Sequence, residues 1–197
     1  MPALQDPSVS RTRKTQSCPG AHTPSRACCP PHVLDLIKTP RVLSLPPHAR
    51  TPYVTGTSVL GLTYAGGVML AADTLGSYGS TKRYKSVSRL VPINGATCLG
   101  AGGELSDFQF ILSLLDELDT EDYCAGDGLT RSPAELHSYL TRVLYNRRSK
   151  FDPLWNSLVI AGVDAASGAP FLGTVGMLGV AYTDCTVATG FGNHLAR

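Results

Sequence analysis

Gly56-Thr57-Ser58-Val59-Leu60-Gly61, followed by Gly66-Gly67 and then Val68-Met69-Leu70-Ala71-Ala72-Asp73, is the stretch on which the reading of this chain turns. Thr57–Tyr64 is rich in β-branched and aromatic residues, and Ala65-Gly66-Gly67 is a turn. Val68–Asp73 is an apolar run of the kind that forms a strand buried on both faces. A hairpin of these proportions returns Asp73 to the neighbourhood of Thr57. A carboxylate beside a threonine that follows glycine suits a hydroxyl nucleophile whose base is the α-amine freed by cleavage after that glycine.

Upstream of this hairpin the composition changes. Residues 1–50 hold seven Lys/Arg against two Asp, a net of +5, with nine of the 14 prolines and one of the 20 glycines. The remainder has ten basic and 13 acidic residues, a net of −3. A boundary near residue 50 follows, with a Pro-rich basic tail or propeptide over 1–50 and one folded domain over 51–197. The tail's one short apolar cluster, Val33-Leu34-Asp35-Leu36-Ile37, buries too little to offset ordering entropy, so the tail reads as disordered. It has no continuous apolar signal region, and its prolines oppose the amphipathic helix of a transit peptide. The longest apolar stretch, Phe171 to Tyr182, is about a dozen residues, short of the roughly 20 that a spanning helix needs.

Downstream, Ser77-Tyr78-Gly79-Ser80 reads as a loop. Val87–Ile93 and Ala96–Gly100 predict a second hairpin around Asn94-Gly95. Two helices follow. Ser106-x-x-Gln109 has the pattern of a capping box, ahead of Phe108, Ile111, Leu112, Leu115 and Leu118 at helical spacing. Ser132-Pro133-Ala134-Glu135 is a fuller start signal, with an N-cap serine, proline at the first position and glutamate at the third. Strands return at Ser157–Val163, Pro170–Val175 and Leu178–Asp184. Strands, two helices, then strands is the order of an α+β fold, with the helices covering one face of stacked sheets.

These pieces resemble the proteasome β subunits. Gly67-Val68-Met69-Leu70-Ala71-Ala72-Asp73, Gly76-Ser77-Tyr78-Gly79-Ser80 and Gly100-Ala101-Gly102-Gly103 follow the first motif in the family's order and spacing. Val54-Thr55-Gly56-Thr57, Asp107-Phe108-Gln109, Tyr145-Asn146-Arg147-Arg148-Ser149-Lys150, Asp152-Pro153-Leu154-Trp155-Asn156 and Met177-Leu178-Gly179-Val180-Ala181-Tyr182 resemble the type at the seventh β position of the eukaryotic ring. The resemblance runs from about Thr51 to Ala196. It implies a four-layer αββα sandwich of the N-terminal-nucleophile hydrolase type, incomplete at the C-terminus. It also implies a structural, non-catalytic subunit of the stacked-ring 20S core that degrades ubiquitin-tagged proteins, partnered by other α and β subunits, in cytoplasm and nucleus.

In active members of that family a self-exposed threonine is the nucleophile, and an Asp and a Lys orient the site. Here Thr57 and Asp73 stand at the first two positions and Arg89 stands at the lysine's, so the three are expected as vestiges of a site without catalysis. Arginine is a wide, permanently protonated fork and does not replace a compact ammonium. A supporting serine of the family falls near Thr189-Gly190. Relative to the family the chain stops early, at Arg197, which puts ring incorporation in question. Two other readings stand beside the structural one: an active threonine protease using Thr57, and a free-standing binding fragment unable to assemble. No cofactor, metal, nucleic acid or membrane is expected. The six cysteines have no metal-ligand spacing, and Cys18, Cys28 and Cys29 with His22 and His32 make a poor tetrahedral set. The acidic run Asp116-Glu117-x-Asp119-x-Glu121-Asp122 is a candidate neighbour contact, against the plainer reading of a solvated helix end. The Arg142, Arg147, Arg148 and Lys150 cluster reads as helix-end charge.

Overall fold

The computed structural model describes residues 53–196 apart from 127, 129 and 166. The expected tail over 1–50 lies outside the described residues. Five strands open the domain: β1 (Val54–Gly56), β2 (Val59–Tyr64), β3 (Gly67–Ala72), β4 (Gly76–Tyr78) and β5 (Thr81–Tyr84). The hairpin β6 (Leu90–Asn94) and β7 (Thr97–Glu104) leads into two helices, α1 (Leu105–Ala125) and α2 (Pro133–Ser149). Then come β8 (Asn156–Val163), β9 (Pro170–Val175), β10 (Ala181–Thr183), β11 (Thr186–Ala188) and one helical turn, α3 (Gly192–Leu195).

The strands form two antiparallel sheets. The larger runs β10-β9-β8-β7-β1-β4-β5, with β6 also on β7, and the smaller runs β11-β2-β3. Helices α1 and α2 cover one face of the larger sheet and the smaller sheet covers the other. The sequence builds this layering through β8, which is apolar at consecutive positions. Leu158 and Ile160 join Phe108, Ile111, Leu115, Leu136, Leu140 and Leu144 in the helix-side core. Val159 and Ala161 join Val59, Leu172 and Val187 between the sheets. Side chains alternate across a strand, so only a strand covered on both faces tolerates such a run.

On β7 the alternation is one of size. Leu99 and Ala101 face the helices, whereas Gly100 and Gly102 face the smaller sheet. A Cβ on Gly100 would come within 2.9 Å of Val59 and Leu90 side chains, and one on Gly102 within 2.8 Å of the Thr57 carbonyl oxygen. These glycines let the loop carrying Thr57 lie against the larger sheet.

The Asn94-Gly95 hairpin, the β9 boundaries and the two-helix layer agree with the sequence reading. So does the α2 start: Ser132 Oγ accepts from the Glu135 amide at 3.3 Å, and Glu135 Oε2 accepts from the Ser132 amide at 2.8 Å. Other expectations are corrected. Residues 77–80 are not a loop but the turn and flank of a β4–β5 hairpin, with Tyr78 opposite Thr81. All of β5 is exposed, so no hydrophobic alternation marks it. Ser106 is not a helix cap. Strand β7 runs directly into α1, Glu104 occupies the N-cap position, and the Ser106 hydroxyl donates to Glu104 Oε1 at 2.9 Å. The segment 178–184 keeps only Ala181–Thr183 as strand, because residues 176–179 close a turn with Gly179 at φ +81° against Tyr145. Strand β3 is buried on one face only: Val68, Leu70 and Ala72 meet the inter-sheet core, while Met69 is 55% exposed. Among the described residues, the outer face of the smaller sheet carries only α3, whose Gly192 packs on Leu60 and Ser58.

Candidate functional site

The register of the first hairpin places the site. Val59 lies opposite Ala72, so the chain just before β2 and the residue just after β3 are neighbours. This brings Thr57 and Ser58 to Asp73, and Arg89 enters from the segment before β6. Thr57 is exposed, Asp73 is half-exposed, and Arg89 is 1% exposed.

Arg89 organises everything here. Its Nε donates to the Asp73 carbonyl at 2.9 Å. One terminal nitrogen donates to the Thr57 carbonyl at 2.8 Å and to the Ala101 carbonyl at 3.1 Å. The other donates to the Ser58 carbonyl at 3.1 Å and to Asp73 Oδ1. A guanidinium has five N–H donors, and all five are committed, four to main-chain carbonyls and one to a carboxylate. No donor is left for a substrate oxyanion or for the Thr57 hydroxyl. A buried cation with every proton matched is what a buried charge needs to persist.

The guanidinium also explains Gly56. A Cβ there would lie 2.5 Å from Arg89 Cδ and 3.0 Å from one of its terminal nitrogens. The glycine that suggested self-cleavage therefore has a packing reason of its own. Its other side is equally settled: β1 sits between β7 and β4, with Thr55 opposite both Glu104 and Ser77. Thr57 and Ser58 form the two-residue link between β1 and β2.

Thr189 stands where a supporting hydroxyl was expected. It is buried, and its Oγ1 accepts from the Val59 amide at 2.9 Å. The Thr189 amide donates to the Val59 carbonyl, and Ser58 Oγ accepts from the Gly192 amide at 2.8 Å. Both hydroxyls therefore tie the start of β2 to the chain around β11 and α3. The structure brings Thr57, Asp73 and Arg89 together as the sequence reading placed them. It adds Glu104, 7% exposed, which that reading missed. An acid at a strand–helix junction has no local signature, and only the pairing of β1 with β7 shows what it faces. Among the described residues no group of three or more His, Cys, Asp or Glu side chains converges to hold a metal.

The comparisons with known proteins agree with this architecture. A family model described as Proteasome subunit matches residues 53–197. Proteasome subunit beta type-4 of Arabidopsis thaliana is 56% identical over 146 residues, covering 74% of this chain and 58% of the relative. Proteasome subunit beta type-4 of Xenopus laevis is 51% identical over 150 residues, covering 76% and 61%. Proteasome subunit beta type-7 of Saccharomyces cerevisiae is 45% identical over 154 residues, covering 76% and 58%. The chain spans about three-fifths of the length of these curated relatives. By the matched domain, and by the strand–helix order that carries its motifs, this chain belongs to the proteasome subunit family as a β-type member.

Proposed function

We propose that this chain is a non-catalytic, structural β subunit of the 20S proteasome core, contributing to ring assembly for ATP- and ubiquitin-dependent protein degradation. The observation that carries the reading is the Arg89 guanidinium at the position beside Thr57, with all five donors already committed. Thr57, Asp73 and Arg89 are all present in position, but the cation has no free proton to offer. The domain over 51–197 is part of a four-layer αββα sandwich of the N-terminal-nucleophile type, and 1–50 is a separate tail or propeptide. Its partners are other α and β subunits of a stacked ring, in cytoplasm and nucleus.

Leu178, Val180 and Tyr182 are exposed around the β10 edge, and Leu62 and Met69 are exposed on the outer face of the smaller sheet. Apolar surface and open strand edges of this kind are an aggregation hazard while they stay uncovered. The acids of α1 read first as a solvated helix end, and Asp122 among them is already paired with Arg131.

The test is the N-terminal residue of the chain recovered from the high-mass fraction of a cell extract. A start upstream of Thr57 is expected. A start at Thr57 overturns the reading in favour of an active threonine protease. Finding the chain only at low mass overturns it in favour of a free-standing fragment.

A further inference from the structure

Strand β1 is three residues long, yet it is held on both edges and at its entry. Beyond its last ladder pair the Glu104 carboxylate takes over. It accepts from the Tyr53 amide, from the Val54 amide at 3.1 and 3.3 Å to its two oxygens, and from the Ser106 hydroxyl at 2.9 Å. Its place is set by the main chain: the Glu104 amide donates to the Trp155 carbonyl at 2.9 Å, and its carbonyl accepts from Asn156 Nδ2 at 2.8 Å. The Tyr53 ring meets Tyr78 edge-on, with centroids 4.3 Å apart and the hydroxyls hydrogen-bonded.

An endoprotease binds its substrate as an extended segment, so cleavage within a folded region requires that segment to open first. Opening around Gly56–Thr57 means drawing β1 out between β7 and β4 and pulling the Thr57 and Ser58 carbonyls from Arg89. Coming from the N-terminal side, the Tyr53 amide is the first described hydrogen bond that must break. Charge-assisted bonds to a buried carboxylate are the strong class, so that first barrier is a high one.

We propose that the Glu104 carboxylate is a proteolytic stop. Trimming by an external endoprotease ends on the N-terminal side of Tyr53, and the Gly56–Thr57 bond survives because Glu104 keeps β1 in the sheet. The proposal concerns a residue outside the Thr57–Asp73–Arg89 cluster and holds for the isolated chain as well as for a ring subunit.

The full chain would be treated with a broad-specificity endoprotease under native conditions, with products identified by intact mass. The wild type should yield products beginning before Tyr53, with starts between residues 54 and 60 at least about tenfold slower to form. Glu104→Gln keeps the size and an acceptor but removes the charge. It should raise the rate of those internal starts about tenfold while β8 amides stay protected from hydrogen exchange. In the wild type the Tyr53 and Val54 amides should themselves exchange slowly. Exchange at these two amides at the rate of an open chain overturns the proposal, whatever the variant does. So does wild-type cleavage within 54–60 as fast as upstream, or an unchanged pattern in Glu104→Gln with β8 protected. A Thr57 start that forms without added protease would instead overturn the non-catalytic reading.

Discussion

Replacing Arg89 tests the reasoning about the site most directly. Arg89→Met preserves length and most of the volume but removes five donors at once, stranding the carbonyls of Thr57, Ser58, Asp73 and Ala101 beside an apolar chain. The Asp73 carboxylate is 44% exposed and regains water, so the ion pair itself is screened and contributes little of the loss. The carbonyls matter more. Each buried acceptor left unmatched costs about 1–3 kcal/mol, and breaking a buried charged cluster from one side costs about 3–5 kcal/mol. We expect a destabilisation of about 4 kcal/mol for Arg89→Met, against a typical domain stability of about 5–15 kcal/mol. Arg89→Lys offers three donors on a shorter reach and recovers part of the set, for a loss of about 2 kcal/mol. Urea unfolding of the full chain, followed by fluorescence of its single tryptophan, Trp155, reads both. At an m-value of about 2 kcal/mol/M the midpoints fall by about 2 M and about 1 M. A loss under about 1 kcal/mol in Arg89→Met would refute the assignment of Arg89 as the buried tie between these segments. Under the proposed non-catalytic reading, neither variant should gain reactivity toward an electrophile selective for N-terminal threonine.

Two further perturbations probe the frame around the site. Ser132→Ala removes half of the capping box that starts α2, and should cost about 1 kcal/mol in the same urea titration without changing m. Burial pushes the Cys98 thiol and, with nearby Glu117, the Tyr139 hydroxyl above their ordinary ranges. Their folded forms favour the neutral group. The stability they contribute is therefore complete below the unfolded pKa values, about 8.5 for Cys and 10 for Tyr, and is lost as pH rises through the folded ones. Thermal scans from pH 8 upward should show a falling midpoint. Mass-resolved alkylation at pH 8 should modify exposed Cys124 and Cys185 before Cys98.

How much could be read without coordinates divides along the physics of each signal. The Asn94-Gly95 turn, the Ser132 capping box and the apolar faces of α1 and α2 are local patterns, and the structure has them where the sequence places them. Strands β1, β4, β5 and β11 are three or four residues each, supported by their neighbours rather than by their own alternation, and so have no pattern to read. The exposure of Met69 depends on what covers the smaller sheet, which no periodicity reports.

Sequence alone determined the type and order of the major elements, the membership carried by the interlocking glycine motifs, and the substitution of arginine for lysine at residue 89. Those are properties of side-chain identity and spacing. Only the tertiary structure decided what Arg89 does, because four of its five acceptors are main-chain carbonyls from three separate segments, and a carbonyl is the same in every residue. The same holds for Glu104, whose carboxylate accepts from two amides some fifty positions upstream as well as from nearby Ser106. Packing likewise gave Gly56 a reason of its own, because a Cβ there would collide with the buried Arg89 side chain.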